Sequence, residues 1–104
     1  MLFRSMSELD NIIHQPVRLR IMSALVALEH GGQMDFIFLR NLLKATDGNL
    51  GAHLEKLEGA GYIRIEKTFV AKKPRTFISV SDKGRDAFIQ HIAALKLIIK
   101  TSKG

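Results

Sequence analysis

Two short leucine-bearing segments, about Ile37–Ala45 and Leu50–Gly59, are separated by only Thr46-Asp47-Gly48-Asn49. That turn carries helix-starting chemistry: Thr46 or Asp47 can accept hydrogen bonds from the first free N–H groups of a following helix. Before it, Leu39, Leu42 and Leu43 recur at helical spacing and are expected inward, with Arg40 and Lys44 outward. After it, Leu50, Leu54 and Leu57 form the expected buried face. Gly59-Ala60-Gly61 stops the second helix and offers a glycine for a left-handed cap.

The next residues change period. Tyr62–Lys67 and Thr76–Ser81 alternate in the manner of strands, with Ala71-Lys72-Lys73-Pro74-Arg75 between them, so the pair is expected to form a hairpin with a basic tip. Arg64, Lys67, Lys72, Lys73 and Arg75 crowd the segment 64–75 against a single acid, Glu66.

Flanking helices complete the pattern. Ser7 is placed to cap a first helix, Glu8–His14, with Leu9, Ile12 and Ile13 as its apolar stripe. Gln15-Pro16 breaks it, and Pro16 suits the first position of a second helix, about Pro16–His30, ended by Gly31-Gly32. Gln33–Phe36 reads as a short extended piece. Ser81 or Asp82 starts a last helix, about Lys83–Lys100, in which ten of the thirteen residues 87–99 are apolar. A helix apolar on most sides is buried on more than one side.

The chain has 104 residues, one domain by length, and a net charge of +6. A basic balance favours phosphate partners or an anionic surface. The longest apolar-rich segment, Ala87–Ile99, is too short for a membrane span and contains Gln90, His91 and Lys96, so a soluble, cytoplasmic protein without a membrane partner is expected. There is no cysteine, which excludes disulfides, thiolate metal sites and cysteine nucleophiles. The histidines (His14, His30, His53, His91) include no i, i+4 pair, so no metal site and no cofactor are expected, although His14 and His91 would meet if the terminal helices pack. No nucleophile elbow or phosphate loop is present, so no catalytic residue is assigned and no enzyme is expected.

Helix, helix, helix, short turn, helix, then basic hairpin is an order suited to duplex DNA. A rigid helix fits the major groove, the preceding helix buttresses it, and the hairpin tip reaches phosphates or the minor groove alongside. The run Leu50-Gly51-Ala52-His53-Leu54-Glu55-Lys56-Leu57-Glu58-Gly59-Ala60-Gly61-Tyr62-Ile63 resembles the recognition helix and strand entry of MarR- and ArsR-type winged-helix transcription regulators. Ser81-Asp82-Lys83-Gly84-Arg85 resembles the start of their following helix, and Pro16–Met22 their opening helix. The resemblance spans about residues 15–88, with Gly51 standing where these families often carry serine.

The resemblance implies a mainly α fold with a small β-hairpin wing, an α+β winged helix-turn-helix. Carried over by position, Thr46, Asp47, Asn49, Ala52, His53 and Lys56 are recognition-helix contacts, Lys72, Lys73 and Arg75 are wing contacts, and Arg40 and Lys44 meet flanking phosphates. Asn49 has the chemistry to pair bidentately with adenine, and Lys56 to reach guanine or phosphate. Each has a plainer reading: Asn49 as a turn residue, His53 as a packed histidine, Lys56 as a solvated charge, the basic tip as a guard against edge aggregation.

The apolar excess of the two terminal helices (about 1–14 and 83–100) suggests a twofold homodimer through Leu9, Ile12, Ile13, Phe88, Ile92, Leu95 and Ile99. The expected function is a sequence-specific regulator, by resemblance a repressor, on a pseudo-palindromic operator, with an unidentified small-molecule effector as a variant. A winged-helix protein-interaction module and a non-specific DNA-binding protein are the alternatives.

Overall fold

The computed structural model describes residues 9–103. In chain order, the elements among these residues are α1 (Pro16–Val26), β1 (Met34–Asp35), α2 (Phe36–Leu43), α3 (Asp47–Gly59), β2 (Ile63–Val70), β3 (Lys73–Val80) and α4 (Asp82–Lys103). The three strands form one antiparallel sheet in the order β1-β3-β2. Met34 pairs with Ile78 at one edge, and Ile63 through Val70 pair with Val80 through Lys73 along the hairpin.

Each helix begins where a side chain caps it. Gln15 Oε1 accepts from the Arg18 N–H at 2.8 Å, with Pro16 in the first turn of α1. Asp35 caps α2 and Thr46 caps α3. Ser81 caps α4 from a buried position: its Oγ accepts the Gly84 N–H at 3.0 Å and donates to the Gly61 carbonyl at 2.6 Å. Helix α3 ends as its glycines foretell, with Gly61 at φ +80° and the Tyr62 N–H returning to the Leu57 carbonyl. Helix α2 ends on the same geometry, with Lys44 at φ +54° in the place glycine normally takes.

One core holds the elements together. Ile21, Met22 and Leu25 of α1, Leu39 and Leu43 of α2, Leu50, Leu54 and Leu57 of α3, and Ile63 and Ile78 of the sheet are all buried in it. Removing one such side chain typically costs about 2–5 kcal/mol. The Ser81–Arg85 run closes this core: Arg85 Nη1 donates to the Val26 carbonyl at 3.3 Å, joining the start of α4 to the end of α1.

Four expectations need correction. Within the described part of Glu8–His14 the chain forms a single turn at residues 11–13, because the Asp10 carboxylate accepts the N–H groups of Ile12 and Ile13 and is itself held by the Tyr62 hydroxyl; Glu8 and Ser7 lie outside the described residues. The helix expected over Pro16–His30 stops at Val26, where the Leu28 N–H turns back to the Leu25 carbonyl. Leu42 is 50% exposed, since only Leu39 and Leu43 of its stripe reach the core. The hairpin turns on Ala71-Lys72 alone, so Lys73, Pro74 and Arg75 belong to β3.

Candidate nucleic-acid interface

Helix α3 buries Leu50, Leu54 and Leu57 and therefore turns Asn49, Ala52 and Lys56 to solvent. These three recur at i, i+3 and i+7, so they share one side of the helix. Asn49 is exposed within the first turn, and its backbone N–H is already satisfied by Thr46 Oγ1 at 3.1 Å. Thr46 thus uses one lone pair of its hydroxyl in the cap, and its O–H remains able to donate. Asp47 is paired with Arg40, Nη1 to Oδ1 2.7 Å, so these two expected DNA contacts bridge α2 and α3. The pair is largely exposed on the Asp47 side, where such bridges contribute little to stability. Lys44 is exposed at the end of α2.

His53 is oriented by a residue that the sequence did not single out. Arg18 Nη1 lies 3.1 Å from His53 Nδ1, while Arg18 Nε donates to the Ile12 carbonyl. Partial burial and then the Arg18 charge lower the His53 pKa, so the ring is held neutral. Local pattern offered no signal for this contact, which joins residues 35 positions apart.

The β2–β3 wing stands beside α3. Ala71 and Lys72 carry φ of +52° and +67°, the positive values that a two-residue hairpin turn of the primed class needs. Lys72 and Lys73 are exposed at this tip. Arg75 is half-buried: its Nε donates to Asp35 Oδ1 at 3.0 Å and its guanidinium lies 5.4 Å from the Phe77 ring centre. Burial works to raise the Asp35 pKa, but the Arg75 hydrogen bond, the Phe38 and Ile37 N–H groups and the Arg75 charge outweigh it, and the net shift is downward. Arg75 therefore fastens the wing to the start of α2.

Between α3 and the wing lies an open groove of about 850 Å³. Gly48, Gly51, Ala52, Glu55 and Glu58 line it from the helix, and Ile65, Lys67 and Thr76 from the sheet. Gly51 leaves its side of the groove bare, since nothing lies within 4 Å of where a Cβ would stand.

Behind the interface, Tyr62, Asp10, His91 and His14 form a polar cluster. The Asp10 N–H donates to His91 Nδ1 at 3.1 Å, and the His14 and His91 ring centres are 5.3 Å apart, the juxtaposition expected for the chain's terminal segments. His91 is buried, and its Nε2 has no hydrogen-bond partner among the described residues. Burial and then His14 lower its pKa, against an opposing pull from Asp10. The Tyr62 hydroxyl is pushed up to about 12 by burial and by its bond to Asp10.

Of the residues expected at a dimer interface, Ile13 is fully buried in the protomer's own core, which removes it from any partner contact. Ile12 and Phe88 pack partly buried against the same core. Leu9, Ile92 and Leu95 are half-buried, and Ile99 is 57% exposed on the distal part of α4.

A three-helix core that sets a solvent-facing helix beside a basic hairpin defines a winged helix-turn-helix protein. Residues 17–99 match the family model described as a winged helix DNA-binding domain, and the chain belongs to that family. A solved structure from Pyrococcus horikoshii OT3, described as a transcriptional regulator homologue, superposes with a TM-score of 0.81 at 30% identity, covering 96% of this chain and 94% of that one. NadR in complex with 4-hydroxyphenylacetate shares the fold, with a TM-score of 0.66 at 18% identity over 98% of this chain and 72% of that one. An uncharacterised protein of Methanocaldococcus jannaschii is 37% identical over 81 residues, 78% of this chain and 85% of the relative. Among the described residues no helix is long and apolar enough to cross a membrane.

Proposed function

We propose that the protein is a non-enzymatic transcriptional regulator that reads duplex DNA with α3 and anchors on it with the wing. The observation that carries this reading is an exposed α3 face, Asn49, Ala52 and Lys56, on a helix separated by an open groove from a wing whose tip exposes Lys72 and Lys73. Asn49 and Lys56 supply base contacts, and the wing lysines supply sequence-independent phosphate contacts. Arg40 and Lys44 add flanking phosphate contacts, Arg40 by exchanging Asp47 for a phosphate oxygen. Thr46, Asp47 and His53 act by holding α3 in place.

The regulator works as a twofold dimer joined through α4, whose Ile92, Leu95 and Ile99 remain wholly or partly uncovered. Two α3 helices then meet successive major grooves about 34 Å apart on a pseudo-palindromic site. Occupying that site blocks transcription, the repressor outcome. The ligand named with NadR supports a small-molecule effector for this chain too.

Binding of a duplex selected from a random pool, compared with a scrambled duplex at about 50 and 200 mM salt, tests the reading. A selected site preferred by about a thousandfold, with affinity falling steeply with salt, supports it. A second reading, a protein-interaction module, is favoured by one observation: α2 exposes Ile37, Phe38 and Leu42 together. That reading expects weak DNA binding and a flat salt response.

A further inference from the structure

Phe69 is the most exposed large apolar side chain among the described residues, at 74%, and it stands on the wing. Its direction follows from the ladder. Ile65, Lys67 and Thr76 line the groove against α3, and strand alternation puts Phe69 and its cross-strand partner Pro74 on that same face, beyond Lys67. At the rise of a strand, Phe69 lies about 13 Å out from Ile65, close to the tip. Val70, on the opposite face, is also exposed.

The surroundings say what such a ring faces. Lys67 is exposed before it on the same face and Lys72 in the turn beyond it, while Lys73, paired with Val70, stands on the opposite face and Glu55 and Glu58 line the inner part of the groove from α3. Arg75, the remaining basic residue of the tip segment, pairs with Thr68 on the opposite face and is engaged there by Asp35 and Phe77. A flat apolar side chain near a hairpin tip that carries exposed lysines complements one surface well: a duplex, with phosphates for the lysines and stacked base edges for the ring. Apolar side chains inserted at a base step unstack it and kink the duplex.

We propose that Phe69 is a wedge that enters the minor groove at a base step and bends the DNA, so that the wing contributes shape selectivity as well as charge. The inference rests on the DNA-binding reading above. It assigns the wing a preference for flexible pyrimidine–purine steps, which kink at least cost, at positions that α3 never touches.

The test uses the full chain with an end-labelled mixed-sequence duplex of about 40 bp, reading bend by energy transfer between the ends and affinity by anisotropy across salt concentrations. The intact protein is expected to shorten the end-to-end distance. Phe69→Ala is expected to abolish the bend and weaken binding about tenfold, while leaving the salt slope unchanged because no charge is lost. Phe69→Leu, which keeps an apolar wedge, is expected to retain most of the bend. Lys72→Ala with Lys73→Ala is expected to flatten the salt slope. Tight binding by the intact protein without bending, or bending unaltered in Phe69→Ala, overturns the wedge and leaves DNA binding standing. Failure of the intact protein to bind any duplex overturns both.

Discussion

Arg18 Nη1 sits 3.1 Å from His53 Nδ1, and the same guanidinium donates to the carbonyl of Ile12. One side chain of α1 thus links the N-terminal turn to α3, the helix proposed to read DNA. The contact needs a neutral imidazole, because a protonated ring offers Arg18 only donors and a like charge. His91 meets a similar demand: its Nδ1 accepts from the Asp10 N–H, so that nitrogen must be unprotonated.

Both rings bind a proton less readily in the folded chain than in the unfolded one. Once pH falls below about 6.5, the ordinary histidine value, the unfolded chain takes up more protons and is favoured. Stability is therefore complete above that value and declines as pH falls through it. Thermal melts from about pH 7.5 down to 5.5 should show a falling Tm, with a shallower fall in His91→Leu. A Tm that is flat or rises on acidification contradicts this placement of the histidines.

Gly84 packs against the backbone of Tyr62 so closely that a Cβ would lie 2.0 Å from the Tyr62 carbonyl oxygen. That carbonyl cannot retreat without losing the Ser81 N–H at 2.9 Å. Gly84→Ala should cost about 3 kcal/mol in chemical denaturation, far beyond a surface substitution. A change within about 0.5 kcal/mol would mean that α4 does not dock in this way.

Thr46 caps α3 by accepting the Asn49 N–H. Thr46→Ala should lose about 1 kcal/mol of stability, and Thr46→Ser much less. Equal losses in the two variants would argue against the cap.

The proposed dimer rests on the uncovered end of α4. Ile99→Glu should leave the protomer folded, because Ile99 is 57% exposed, while shifting sedimentation from dimer to monomer. A wild-type chain that sediments as a monomer at micromolar concentration contradicts the twofold arrangement.

Much of this architecture was legible in the sequence because it is locally encoded. The Thr46 cap, the Leu50, Leu54 and Leu57 stripe and the glycine stop at Gly61 all depend on neighbours in the chain, and each took the expected place. The extended piece at Met34–Asp35 did too. What failed was set at long range. Asp10 leaves a helical pattern because Tyr62 and His91, 52 and 81 positions away, hold it in a turn. The hairpin turn fell on Ala71-Lys72, which lack the Gly or Asn that marks such turns, rather than within a broader loop around Pro74. Arg75 looked like one more basic tip residue, but Asp35, 40 positions earlier, holds it. Phe69 lay beyond the strand read at Tyr62–Lys67, and only the ladder and the groove show which face it shares.

The most direct test of the account compares two sets of substitutions on a selected and a scrambled duplex. Asn49→Ala should weaken the selected site by about tenfold to a hundredfold and leave the scrambled one nearly unchanged. Lys72→Ala with Lys73→Ala should weaken both alike and reduce the salt slope by about two. The reverse pattern, with the wing variant losing selectivity and Asn49→Ala losing affinity uniformly, would contradict the division of labour between α3 and the wing.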